Sequence, residues 1–417
     1  MTTARLQYDP FESVKIPEFR NMVIGRFLFV MGLRMMSTLV GWWIYELTNA
    51  PFAIGLVGLS EFLPAFSLAL YAGHVIDKSE KRKLLLVGVA LYIVAALALL
   101  LLSTSFTGKH LTHQLIAVGI YAVIFCTGII RAFTGPSFNV MIANIVPKSY
   151  LQNATSWNQA TYLSASVTGH AVGGFLIASL GNMGTLITIS SLITLAFAVL
   201  FQLKAKPAIH DRPVMKAWES VKEGLQFVYK TKVVLGALSL DLFAVLFGGA
   251  VAMVPVFARD ILKVGPQGFG FLNGASDMGS ICSVLLLTLL PMQKKYGKKL
   301  LFAVAGFGLS IIIFGISKVF WISFAALLIG GILDGISVVI RGTIMQLKTP
   351  DYMRGRVMSV NSMFINSSNE LGQFESGAAA RAMGVIPSVV FGGSMTLLVV
   401  LVTWIKAPTL RKLDVMK

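Results

Sequence analysis

Long runs of apolar residues, broken by short polar connections, repeat along the whole sequence. A helix needs about 20 such residues to cross the hydrocarbon core of a bilayer, and an open strand cannot satisfy its backbone hydrogen bonds there. We therefore predict an all-α integral membrane protein. Its twelve predicted spans cover residues 20–47, 52–76, 84–104, 114–145, 151–179, 183–204, 232–260, 266–292, 300–316, 320–347, 355–382 and 386–406.

A short phrase recurs in the two halves of this pattern. Pro51-x-x-x-Gly55, before predicted helix 2, returns as Pro266-x-x-x-Gly270, before predicted helix 8. Such repeats favour two pseudo-symmetric six-helix bundles with a substrate site between them, near the bilayer midplane. The predicted domains are an N-terminal bundle at 1–204, a cytoplasmic linker at 205–231 and a C-terminal bundle at 232–417.

The linker carries an apolar stripe beside charged residues, formed by Trp218, Val221, Leu225 and Val228. This spacing predicts an amphipathic helix. We interpret it as a helix that lies at the inner membrane interface and joins the two bundles. The alternative is a linker helix in water, without lipid contact.

Composition agrees with a membrane protein, because 56% of the residues are hydrophobic and only 13% are charged. The net charge of +17 does not indicate nucleic-acid binding, since the cations lie in the connections rather than on a basic face with interleaved aromatic residues. With the N-terminus inside, the inner segments carry 26 Lys and Arg residues and the outer segments carry 5. The positive-inside rule therefore predicts that both termini are cytoplasmic.

Nine charged side chains fall in the middle of predicted spans, where each costs at least ~2.5–3.5 kcal/mol on insertion scales. We expect them to face a central cavity or one another: Arg34, Glu61, Arg131, Asp241, Asp277, Asp334, Arg341, Glu370 and Glu375. One interpretation is a set of static ion pairs that hold helices together. Because carboxylates outnumber cations, we favour a proton-coupling site in which Asp241 or Glu370 titrates, biased by Arg34 or Arg131.

The connection between predicted helices 2 and 3 concentrates charge at the membrane surface. Its candidate gating residues are Gly73, Asp77, Lys78, Lys81 and Arg82. Gly73 shares a helix face with Asp77, so a neighbouring helix could approach and pair with that carboxylate. We expect Asp77 and Arg82 to bridge neighbouring helices only when the protein is open to the outside. The alternative is a plain positive-inside loop.

Predicted helix 5 contains the glycine-rich run Gly169, His170, Gly173 and Gly174. The spacing of Gly169 and Gly173 predicts a close contact with another helix. His170 could carry a proton, but a hydrogen-bonded core histidine is the interpretation we favour.

Three of these stretches resemble motifs of the major facilitator superfamily. The run from Gly73 to Arg82 resembles its signature between helices 2 and 3, with Glu80 in place of the usual second glycine. Arg131-Ala-Phe-Thr-Gly135 resembles its helix-4 motif, whose Arg is associated with proton coupling. The run at 169–174 resembles the helix-5 motif of antiporters, with His170 in place of proline.

Further phrases resemble the bacterial branch related to the enterobactin exporter, including Gly41-Trp-Trp-Ile-Tyr45 and Pro350-x-x-x-Arg354. The resemblance implies two six-helix bundles, alternating access and proton-linked export of a small organic molecule, drug- or siderophore-like. The implied partners are an amphipathic substrate and membrane lipids, without nucleic acid. The proton gradient would supply the energy instead of a cofactor, and we expect a monomer in the bacterial inner membrane.

Other functions stay open at this level: a lysolipid flippase, an uncoupled facilitator or importer of the same fold, or a membrane sensor or scaffold. An intramembrane enzyme would need paired catalytic groups such as His-Glu-x-x-His, which the sequence lacks, and we expect no metal site. Trp42, Trp43 and Tyr45 predict an aromatic belt at the outer interface. Cys126 and Cys282 are expected to be small core residues.

Overall fold

The structure is a computed structural model that describes residues 10–205, 217–289, 294–350 and 353–414. Within these residues the regular structure is helical. The α-helices are α1 Pro17–Thr48, α2 Pro51–Lys78, α3 Lys81–Leu102, α4 Ser105–His110, α5 His113–Ile145, α6 Leu151–Leu200, α7 Ala217–Lys230, α8 Lys232–Phe247, α9 Val254–Val256, α10 Gly265–Leu289, α11 Tyr296–Ile316, α12 Phe320–Lys348, α13 Arg354–Met383, α14 Val385–Lys406 and α15 Pro408–Arg411. Two 3₁₀ turns, Lys148–Tyr150 and Gly249–Met253, and a π-helical turn, Phe257–Ile261, complete the described elements.

Ten helical segments of the described residues are long and apolar enough to cross a membrane. One of them covers predicted helices 5 and 6 together, but Gly181 inside α6 has a φ of 65° and divides that helix into two arms. Both arms pack on α1, since Gly169 lies against Arg34 and Gly25 lies against Leu200. Helix α13 coincides with predicted span 11 and is not among the ten, because Asn, Ser, Gln and Glu residues interrupt its apolar sequence. The count of twelve spans and the orientation in the membrane stay predictions.

The chain alternates between two faces of the helix bundle. We call the face where α1 begins the terminal face, and the face where α1 ends the distal face. At the distal face Asn49 adopts a left-handed conformation with a φ of 50°, and Pro51 begins α2. Proline suits that first position because its missing N–H would find no partner there. At the terminal face the Glu80 carboxylate caps α3 by accepting a hydrogen bond of 3.2 Å from the Lys83 N–H.

Helix α7 lies in the predicted linker and packs on protein at the terminal face. Val221 and Val228 are buried, and Gly224 lies so close to α13 that a Cβ there would sit 2.9 Å from the Arg356 carbonyl oxygen. Val228 joins a small hydrophobic cluster with residues of α8 and α13. Two members of the apolar stripe, Val221 and Val228, are therefore buried against protein, whereas Leu225 is exposed. The side chain of Trp218 lies outside the described part.

Two seams of direct backbone contact join the N-terminal and C-terminal helices near the distal face. In the first, between α2 and α13, a Cβ on Gly55 would lie 3.2 Å from the Gly377 Cα. In the second, between α6 and α10, a Cβ on Gly174 would lie 2.7 Å from the Gly270 Cα. Gly55 and Gly270 are the two glycines of the sequence repeat. Each seam thus depends on residues that have no side chain to keep the helices apart.

The aromatic residues at the end of α1 strengthen the same distal contact, and the predicted aromatic belt is wrong. Trp42, Trp43 and Tyr45 are 8%, 5% and 5% exposed. Trp42 packs on Phe269 of α10 with ring centroids 5.8 Å apart, and the Tyr45 hydroxyl donates a hydrogen bond to Asp260. These rings lie between helices, where they add buried apolar area to the seam.

The prediction that the two cysteines are core residues is also wrong. Cys126 on α5 and Cys282 on α10 are free and exposed. Each lies in an apolar helix, where lipid is the expected neighbour of such a surface. An apolar run alone does not tell which face of a membrane helix turns toward lipid.

The glycine seam generates a stability prediction. In Gly174→Ala the new methyl group would lie 2.4 Å from the Pro266 carbonyl oxygen, and backbone cannot move aside cheaply, so we expect a loss of about 1–3 kcal/mol. The matched control is Gly342→Ala, because a Cβ on Gly342 meets nothing within 4 Å. The apparent melting temperature in detergent should fall for Gly174→Ala and hold for Gly342→Ala. Equal melting temperatures for the two variants would contradict the seam.

Candidate functional site

One guanidinium at the centre of the bundle is shared by carboxylates from both halves of the chain. Nη1 of Arg131, on α5, donates hydrogen bonds to Glu61 Oε1 of α2 at 2.7 Å and to Glu370 Oε1 of α13 at 2.6 Å. Glu370 is 7% exposed. The Arg131–Glu370 ion pair therefore crosses between the halves, and Arg131–Glu61 stays within one half.

Glycines explain why these three side chains meet. A Cβ on Gly128, one turn before Arg131, would lie 2.5 Å from the backbone oxygen of Glu61. A Cβ on Gly58, three residues before Glu61, would lie 3.0 Å from the backbone oxygen of Glu370. The close approach of α2 to both α5 and α13 brings the three charges into direct contact.

A second polar link crosses the other seam, between α6 and α10. The Ser166 hydroxyl donates to Asp277 Oδ2, and His170 Nε2 lies 3.6 Å from the same oxygen. His170 Nδ1 is 2.7 Å from the Thr38 hydroxyl of α1. His170 is thus a buried, hydrogen-bonded core histidine, as the favoured interpretation expects, and it also faces a carboxylate of the other half.

Arg34 lies beside these two links without a direct carboxylate partner among the described residues. Its Nη2 donates to the Tyr162 hydroxyl of α6, and its guanidinium lies 5.3 Å from the centre of the Tyr162 ring. Arg131 and Asp277 both lie close enough to act on Arg34 electrostatically. The structure therefore brings five predicted site residues into one central cluster: Arg34, Glu61, Arg131, Asp277 and Glu370.

The remaining predicted charges do not join this cluster. Asp241 of α8 and Arg341 of α12 form a buried ion pair within the C-terminal half. Asp334 lines the same small cavity as Asp241, and Glu375 is half-buried on α13 beside Ser376. For Asp241 and Arg341 the static ion pair describes the geometry better than a central cavity does.

The predicted gating loop is described only in part, because the surroundings of Gly73 and the side chains of Asp77 and Lys78 lie outside the described part of the structure. Lys81 is buried, and its Nζ donates to the Ile76 carbonyl. Arg82 donates to the carbonyl of Phe201, at the end of α6, at 2.6 Å. Arg82 thus joins α3 to the end of α6 in this structure. The expectation that this bridge forms only in the outward-open state stays a prediction.

The glycine-rich run of α6 provides close packing on two sides. A Cβ on Gly169 would lie 2.8 Å from the Met31 carbonyl oxygen, and one on Gly173 would lie 3.1 Å from the Met35 Cα, both on α1. Gly174 contacts α10 as described above. The predicted close contact is therefore present, and it positions His170 between α1 and α10.

An apolar cavity of about 540 Å³ lies on the terminal side, between α7, α8 and α13. Its walls include Leu225, Leu235, Leu242 and Phe364, together with the charged Lys230. Such a chamber can accept the apolar part of a small molecule.

Comparison with known proteins identifies the family. A family model of the major facilitator superfamily, described as transmembrane secretion effector, matches residues 8–416. The chain belongs to the transmembrane secretion effector family.

Relatives of this chain include bacterial proteins named as exporters. It is 22% identical over 351 residues to the enterobactin exporter EntS of Escherichia coli O1:K1 / APEC, covering 82% of this chain and 80% of that protein. It is 24% identical over 354 residues to the enterobactin exporter EntS of Shigella boydii serotype 4 (strain Sb227), with the same coverage of 82% and 80%. The family and these relatives are transporters rather than enzymes, so this chain is a membrane transport protein of that family.

Solved structures share the fold of this chain. A mutant of the nucleoside transporter NupG matches with a TM-score of 0.74 and 12% identity, over 93% of this chain and 99% of that chain. A bacterial homologue of the iron transporter ferroportin in an inward-facing state matches with a TM-score of 0.70 and 15% identity, over 95% and 99%. At such identities the likeness shows the major facilitator fold alone.

Sequence reasoning missed two polar partners in the centre of this chain, Tyr162 and Ser166. They repeat every four residues in α6 with the predicted His170, so the three lie on one helix face. That polar stripe was the available signal. Arg26 of α1 was also left out of the predicted site, although it lies in a predicted span.

The static pair of the C-terminal half generates a second stability prediction. Arg341→Met would leave Asp241 buried without its partner, which we expect to cost about 3–5 kcal/mol. The double variant Asp241→Leu with Arg341→Met removes both charges and should recover most of that loss. Unfolding of the purified protein in detergent would measure both. A double variant less stable than Arg341→Met would contradict the pairing.

Proposed function

We propose that this protein exports a small organic molecule across a bacterial inner membrane by alternating access, in exchange for protons. The observation that carries the proposal is the position of Arg131, which holds Glu61 of its own half and Glu370 of the other half at once. Breaking the Arg131–Glu370 contact is required for the halves to separate at the distal side. A proton or a ligand that competes for Arg131 or Glu370 therefore controls the separation of the two halves.

Two events can release this contact. Protonation of Glu370 removes its charge, and a substrate that binds the ionised Glu370 carboxylate replaces Arg131 as its partner. The groups that face Glu370 are Arg131, Glu61 and Gln373, with Arg34 close enough to act on its charge. In the cycle we propose, the ionised pair holds the distal side closed, and substrate and proton take turns in releasing it.

The proton gradient is sufficient for this exchange. A 100-fold substrate gradient costs roughly 2.8 kcal/mol, since each tenfold is about 1.4 kcal/mol. One charge crossing about 150 mV supplies roughly 3.5 kcal/mol. One proton per neutral substrate is therefore enough.

The direction and location are proposed from the relatives and the charge pattern. Proteins named enterobactin exporters match most of the chain, which supports outward transport of a drug- or siderophore-like molecule. The excess of Lys and Arg in the terminal-face connections supports cytoplasmic termini. On that orientation the terminal-side cavity at 225–242 opens toward the cytoplasm, where an exported substrate is collected.

The test is proton release on ligand addition. Purified protein in weak buffer with a pH-sensitive dye is titrated with amphipathic drugs and catecholate siderophores. We expect wild type to release protons as it binds its substrate, because the substrate and the proton compete for the Glu370 carboxylate and binding favours its ionised form. Glu370→Gln should bind without release. The control Glu46→Gln, at the distal end of α1, should behave as wild type.

Other outcomes separate the alternatives. Binding without proton release in wild type would contradict antiport and favour an uncoupled facilitator or a lipid flippase. Proton release that persists in Glu370→Gln would show that the coupling group is a residue other than Glu370. Ligand binding without transport in reconstituted vesicles would favour a sensor.

A further inference from the structure

Arg26 stands out among the arginines of the apolar helices. Its Nε and Nη1 atoms are buried and have no hydrogen-bond partner among the described residues. Arg34, Arg131 and Arg341 each donate to a side chain. A charged group without a hydrogen-bond partner in a membrane-spanning helix is costly, so Arg26 is a candidate to bind a charged ligand.

The surroundings of Arg26 hold the guanidinium in place without neutralising it. The guanidinium lies 5.0 Å from the centre of the Phe138 ring of α5. Tyr162 of α6 lies close enough to interact with it electrostatically. Arg26 is only half-buried as a residue. The cation is thus fixed by an aromatic face between α1, α5 and α6, with part of its surface still accessible.

The charges inside the two halves are unequal. The N-terminal half has Arg26, Arg34 and Arg131 against Glu61, whereas the C-terminal half has Asp241, Asp277, Asp334, Glu370 and Glu375 against Arg341. Arg131 is already neutralised by two carboxylates. An anion entering the central region is therefore attracted to the N-terminal half, and Arg26 is the cation there that lacks a hydrogen-bond partner among the described residues.

We propose that Arg26 binds an acidic group of the transported molecule, so that the substrate class is an amphipathic organic anion. This inference rests on the proposed transport function. The Tyr162 hydroxyl accepts a hydrogen bond from Arg34, so its own proton is available to donate to the same anion. Arg26 supplies the charge and the planar fork that suits a carboxylate, and Tyr162 supplies a second donor.

Stability distinguishes a binding residue from a structural one. A structural arginine lowers the melting temperature of the ligand-free protein when it is replaced. We expect Arg26→Gln to keep or raise that temperature, because it removes an unpaired charge. Arg34→Gln, which loses the hydrogen bond to Tyr162, should lower it. A fall for Arg26→Gln as large as that for Arg34→Gln would overturn the proposal.

Binding of matched probes tests the charge directly. Protein in nanodiscs is titrated with 1-naphthoate, 2-naphthoate and anthracene-9-carboxylate, and with the primary amide of each. A charge-assisted hydrogen bond corresponds to roughly a tenfold or greater gain in affinity. We expect wild type to prefer at least one acid over its amide by that factor, Arg26→Gln to lose the preference, and Arg26→Lys to keep part of it. Tyr162→Phe should weaken acid binding less.

Each remaining result has a defined meaning. The inference is overturned if wild type prefers no acid over its amide, failure to bind any acid included. It is also overturned if Arg26→Gln keeps the preference. An acid preference that depends on Arg26, together with proton release that survives Glu370→Gln, would keep the anion site and remove the proposed coupling. Proton release that depends on Glu370, without a preference for any acid over its amide, would keep the proposed coupling and overturn the anion site.

Discussion

A charge inside a membrane is costly unless it is paired, and Arg131 pairs with two carboxylates. Its contacts of 2.7 Å to Glu61 and 2.6 Å to Glu370 are possible because glycines at 58 and 128 let the backbones of α2, α5 and α13 approach closely. The same device recurs where Gly174 meets Gly270. The close packing of these helices therefore determines which charges come into contact. In our proposal, the charge state of Glu370 in turn controls whether the two halves can separate.

The buried charges divide into three kinds with different consequences. Asp241 and Arg341 satisfy each other within one half and stabilise it without linking it to the other. Glu370 and Asp277 reach partners in the opposite half, so their charge state bears on the contact between halves. Arg26 has no hydrogen-bond partner among the described residues, and we propose that its charge binds the substrate. In the proposed transport cycle the three kinds supply rigid halves, a releasable contact and a binding group.

The sequence predicts the helices well, because apolar runs of membrane length leave few other structures possible. It also predicts the close contact at Gly169 and Gly173, since a Gly-x-x-x-Gly pair acts locally. It does not predict which charges pair, because Glu370 and Arg131 are far apart in the chain. Several other acidic and basic residues inside the spans are equally plausible partners on sequence alone. The predicted aromatic belt at Trp42 is wrong for a related reason. An aromatic residue near a helix end suits the lipid interface and a contact between helices equally well, and the position of Phe269 on α10 is not visible from the sequence around Trp42.

The most direct test of the account is a distance across the distal face. Spin labels at Ser105 and Lys318, exposed positions in different halves, would be introduced into a variant with Cys126 and Cys282 replaced by serine. The account predicts a short distance at alkaline pH that lengthens at acidic pH, when Glu370 is protonated and its attraction to Arg131 is lost. It also predicts that Glu370→Gln shows the longer distance at both. A distance unchanged by pH and by Glu370→Gln would contradict the claim that this ion pair holds the distal side closed.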